Sequence, residues 1–298
     1  MELSWTMKLR IAAAAAVGVI LVGIVAWPWE SPPEPFGSVL VRSLNISGVV
    51  TLLVMAFLAG LIAYFIAWPY GREIGILAVP FGLAVWAIRA GSAGALMQLN
   101  STLDQRQAIF AVLRWEPLFW LLVVVAGFAG VQLGCRIQPG HKLKKIPENS
   151  NLKPGKYLNE IIALVFSVLI AEFCIKILAQ DIVLSDVSRA VMGQPPIGQI
   201  IFAVFVSFGA AAFIVKKLLN VDYIWPILGS SLITAFSIMI YGKTNVLSHI
   251  VEVWPAVFFP DAAMSVLPVQ MVAFGTIGSI AGYWMALRYQ YWRKHEIK

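Results

Sequence analysis

Long apolar runs separated by gaps too short to build a water-soluble core follow one another through the whole chain, and this pattern admits few folds. About 20 residues of helix cross about 30 Å of hydrocarbon. Eight runs of that order can be read, at roughly 11–27, 48–68, 74–96, 117–135, 158–179, 197–215, 223–241 and 268–287. In lipid each backbone N–H and C=O must find its partner within the protein, so such runs fold as helices. The expectation is an all-α polytopic integral membrane protein. Composition agrees: 60% of residues are hydrophobic and only 12% charged, against roughly 25% charged in a soluble domain. The third run is the least regular, because Arg89 interrupts it before the small-residue stretch 90–95. To reach the far side it must continue through that arginine.

The positive-inside rule tests the eight-span reading independently. Lys8, Arg10, Arg72, Arg136, the lysines of 142–156, Lys216, Lys217, Arg288, Arg293, Lys294 and Lys298 fall on one side, while the other carries fewer basic residues, Arg42, Arg106, Arg114, Arg189 and Lys243, and more acids, including Glu30, Glu34, Asp104, Glu116, Asp181, Asp186, Glu252 and Asp261. The basic side is therefore read as the cytoplasmic face of a prokaryotic inner membrane, with both termini inside. The net charge of +7 follows from this bias, and nucleic acid is not an expected partner. A cleaved leader ending near Ala26 is the competing reading of the N-terminus, but the apolar run reaches Trp27 and lacks an A-x-A site. Residues 139–156, rich in Pro, Gly and Lys, read as a basic cytoplasmic linker between two four-helix units, 1–138 and 157–298.

Those units resemble each other. Gly127-x-x-Gly130-x-x-x-Gly134 in the fourth run recurs as Gly275-x-x-Gly278-x-x-x-Gly282 in the eighth. Ser38 to Arg42 is echoed by Ser185 to Arg189, Gly60 with Phe65 and Ile66 by Gly209 with Phe213 and Ile214, and Pro80 by Pro226. Spacing fails at the last outer loop, where Trp115-Glu-Pro117 and Trp254-Pro255 need a shift to align. Units with an even number of spans enter and leave on the same side, so this duplication would be parallel. Small residues at such spacing let helix backbones approach closely, and the six glycines are expected at helix–helix contacts.

Charge within a span points to function, since an ion at mid-bilayer costs about 2.5–3.5 kcal/mol even on the lenient insertion scale. Arg89, Glu172 and Lys176 meet this description. Glu172 and Lys176 are spaced i, i+4 with the acid N-terminal, which favours an ion pair on one helix face. Counting about 1.5 Å per residue puts Arg89 and Glu172 roughly 20–24 Å into the membrane, where they could meet. Neither has a charged counterpart in the other unit. Arg42 and Arg189 would aim two guanidinium groups at the outer mouth, a pairing suited to carboxylate or phosphate. The bland alternatives are snorkelling cations, a structural ion pair and headgroup contacts.

Signatures of catalysis are missing. The three histidines lie far apart without HExxH, and Gly242-Lys-Thr244 has no glycine-rich run before it, so neither a zinc hydrolase nor an ATP site is expected. Cys135 and Cys174 form no CxxC pair. No metal, cofactor or catalytic residue is expected. The leading reading is a transporter or permease with an outward-opening polar site for a small anionic or zwitterionic ligand at Arg89, Glu172 and Lys176, flanked by Arg42 and Arg189. Beside it stand a non-catalytic subunit of a larger membrane complex, with a membrane-protein partner or a second copy on its glycine faces, and an enzyme acting on a lipid-linked substrate.

Overall fold

The computed structural model describes residues 4–30, 45–139, 156–185 and 190–296. Within them, seven helical segments are long and apolar enough to cross a membrane: Trp5–Trp29, Ile46–Ile66, Gly71–Arg89, Leu103–Ile137, Tyr157–Leu178, Ile197–Leu219 and Ile224–Tyr241. The first contains α1 (Trp5–Gly18) and a π-helical stretch, Val19–Val25, and the second is α2 (Ile46–Ile66). After a short helical lead-in, α3 (Ala78–Arg89) follows. Two shorter helices, α4 (Ala93–Leu99) and α5 (Leu103–Leu113), precede α6 (Glu116–Ile137).

The second half holds α7 (Lys156–Leu178), α8 (Ile197–Leu219), α9 (Ile224–Tyr241), the short amphipathic α10 (Thr244–Val253) and α11 (Pro268–Glu296). A three-stranded antiparallel sheet of β1 (Val183–Ser185), β2 (Ala190–Gly193) and β3 (Phe258–Phe259) lies beside them, with Val183 opposite Met192 and Met192 opposite Phe259.

The last long helix, α11, is not among the seven, and the reason is its position. Every residue from 268 to 280 is buried, because α8 covers one side of the helix and α3, α6 and α9 cover the others. A helix enclosed by protein needs no lipid-facing surface, so Gln270, Thr276, Ser279 and three glycines replace long apolar side chains.

One expectation about the third run is corrected. Its helix does not continue through Arg89: the chain breaks at Gly91, which adopts φ 78°, and restarts at Ser92, whose hydroxyl caps α4 by accepting from the Ala95 N–H. Non-helical backbone at this level needs partners from the protein, and two glutamines supply them. Gln270 donates to the Ala87 and Gly91 carbonyls and accepts from the Leu267 N–H. Gln194 accepts from the Gly94 N–H and donates to the Ser265 carbonyl.

The glycine series lies at helix contacts. A Cβ at Gly130 would strike the Phe57 carbonyl on α2, and one at Gly127 the Val79 side chain on α3. Gly134 lies against the Tyr64 ring, Gly275 against Ser230 and Phe208, Gly278 against the Phe205 carbonyl, and Gly282 against the Gly209 carbonyl. The most extensive helix pairs are accordingly α2 with α6 and α8 with α11. Trp86 and Trp120, both fully buried, pack against each other in the main core.

Candidate functional site

Lys176 is in the last turn of α7, with Glu172 one turn before it. The Lys176 ammonium donates to Glu172 Oε1 at 2.9 Å and lies 3.4 Å from Asp261 Oδ2. The first contact was legible from the i, i+4 spacing. The second joins two separate elements, since Asp261 caps the 3-10 turn Ala262–Ser265 and its Oδ1 accepts from the Ala263 N–H at 2.9 Å. Asp261 is only 1% exposed, whereas the Lys176 and Glu172 side chains keep 36% and 29% of their surface.

Local chemistry fixes this geometry. The end of α7 leaves carbonyls without helical partners, and Gln199 on α8 donates to one of them, Leu178 O, and to Gln180 O just beyond the helix. Asp261 follows β3, which pairs with β2, so the sheet sets where the carboxylate meets Lys176. Burial pushes the Asp261 carboxyl above the ordinary Asp value; the Ala263 N–H and the Lys176 ammonium pull the other way, and Glu172 adds to the rise. Two carboxylates thus share one ammonium.

Arg89 has other neighbours. Its guanidinium lies over the Trp27 ring, 5.3 Å from the centroid, and reaches toward the Gly23 carbonyl at 3.5 Å. Trp27 in turn meets Trp86 edge to face. Arg89 is therefore bound to the first helix of the first half, and the structure does not bring it to Glu172. Arg42 and Arg189 lie outside the described residues. Of the expected linker, only residues 139 and 156 are described.

Several polar groups are more buried than their place in an outer loop implied. Arg106, 4% exposed, donates from Nε to the Asn100 carbonyl, and Glu116 is 3% exposed. Deeper in the bundle, the hydroxyls of Ser207 on α8, Thr234 on α9 and Thr276 on α11 are buried without a hydrogen-bond partner among the described residues. Thr234 lines a small cavity of about 10 Å³ with Met97, Phe110 and Met264. A sequence signal for these groups existed, a polar residue inside an apolar run, but serine and threonine return their hydroxyls to the helix backbone so often that it selects nothing.

No family model, curated protein or solved structure matches this chain.

Proposed function

We propose that this chain is an integral membrane permease for a small zwitterionic or anionic solute, with the Lys176 cluster as a latch at its outer end. In this reading α11 is the eighth span, both termini are cytoplasmic, the membrane is a prokaryotic inner membrane and the two halves are parallel repeats. The pairing of α2 with α6 and of α8 with α11 supports the repeat, as does the matching placement of α5 and α10 before the last helix of each half.

The observation that carries the reading is the sharing of one ammonium between acids of two elements, Glu172 on α7 and Asp261 on the cap. Parting the cap from α7 would leave one ammonium and one carboxylate on α7, the two signs a zwitterion requires. The buried hydroxyls of Ser207, Thr234 and Thr276, which have no hydrogen-bond partner among the described residues, would offer a permeating solute hydrogen bonds. Arg89, held over Trp27, marks the corresponding corner of the first half. The glycine faces are occupied within the chain, which weighs against the membrane-subunit reading built on them.

The test uses Glu172→Cys in a Cys135→Ser/Cys174→Ser background. A membrane-impermeant methanethiosulfonate should label position 172 from outside, and several-fold faster once Asp261→Asn loosens the cap. Complete protection in both proteins would count against the latch and against outward access.

A further inference from the structure

A groove of about 330 Å³ opens between α5 and the junction of α9 with α10. Arg114 and Lys243 line it, and no acidic residue does. Both cations are exposed, and among the described residues neither forms an ion pair. Gln107 Nε2 and Thr244 Oγ1 lie 3.2 Å apart and bridge α5 to the start of α10, which fixes the width of the groove. Lys243 is the N-cap of α10, so first-turn N–H groups of that ten-residue helix lie on the same side as the two cations.

The groove also has an apolar wall of Ile238 and Met239. Met239 is 55% exposed on α9, a helix long and apolar enough to face lipid. Beside the cations, the Arg114 guanidinium lies 5.0 Å from the Trp115 ring centroid, and Trp115 is itself exposed, as suits a ring at the headgroup level. Stacking holds the guanidinium plane while its N–H edge stays free for a bidentate acceptor.

We propose that this groove binds the phosphate of an anionic membrane lipid between Arg114 and Lys243, with an acyl chain laid along Met239. A free phosphate would use the cations and leave the apolar wall unmatched; a lipid uses both. This site does not rest on the permease reading, since it needs only that α9 faces lipid.

The test is thermal unfolding of the full-length protein in a neutral detergent with added phosphatidylglycerol, phosphatidylcholine or inorganic phosphate. Phosphatidylglycerol should raise Tm above phosphatidylcholine at equal concentration, because a ligand that binds only the native state stabilises it. Arg114→Gln/Lys243→Gln should abolish that difference while leaving Tm in phosphatidylcholine unchanged. Native mass spectrometry of the unaltered protein should show phosphatidylglycerol retained in preference to phosphatidylcholine. A double variant that keeps the full increment, or equal retention of the two lipids, overturns the proposal. Inorganic phosphate that reproduces the increment and displaces the lipid overturns the assignment to lipid.

Discussion

At the residue scale, one ammonium lies between two acids in the Lys176 cluster, and the buried acid, Asp261, governs how the cluster responds to pH. Asp261 has its carboxyl raised above an ordinary value of 3.8. Between the unfolded and folded values the native state holds a proton that the unfolded chain has released. The stability this group contributes is therefore full below about pH 3.9 and is lost as pH rises through the folded value. Tm measured from pH 4 to 7 should fall with rising pH more steeply in the unaltered protein than in Asp261→Asn, and parallel curves would contradict the assignment. The Glu172–Lys176 pair was readable because helix geometry alone sets the i, i+4 contact. Asp261 was readable only as one outer acid among several. Its 3.4 Å approach to Lys176 depends on the pairing of β2 with β3, which no local spacing encodes.

At the element scale, the close helix pairs separate glycines that must remain glycine from those that need not. On α11 a Cβ at Gly278 would overlap the Phe205 carbonyl, whereas one at Gly209, on the facing helix α8, meets nothing nearer than 3.5 Å. Gly278→Ala should therefore destabilise the bundle by about 1–3 kcal/mol through overpacking, while Gly209→Ala leaves Tm in detergent close to that of the unaltered protein. Equal effects of the two substitutions would mean that the pair is not packed as described. The glycine spacing announced a close contact but could not name the partner, since helices are brought together by the fold. The break at Gly91 shows the same limit. Arg89 and Gly91 mark an irregularity in the apolar run, yet the chain can stop there only because Gln270, far along the sequence, takes the exposed carbonyls.

At the scale of the whole molecule, α11 decides the topology. If it crosses the membrane in addition to the seven more apolar helices, both termini share one side; if it does not, they face opposite sides. With the N-terminus cytoplasmic, a green fluorescent protein fused after Lys298 should fluoresce and an alkaline phosphatase there should be inactive, and both results would be reversed for the seven-span arrangement. By itself the sequence determined that the chain is a bundle of membrane helices, and it placed the ends of some closely, as at 48–68 and 223–241, but not those of the run at 74–96, whose helix stops at Arg89, or of the last, which extends to Glu296. Hydropathy and helix length are local properties, and the bilayer penalises any unpaired backbone that departs from them. Only the tertiary structure decided that residues 268–280 of α11 lie enclosed among other helices, that Arg89 stacks on Trp27, and that Lys176 meets Asp261. Each of these depends on which helices are neighbours, and in a chain whose spans are almost equally apolar, neighbours are chosen by shape and by a few polar contacts that no single segment contains.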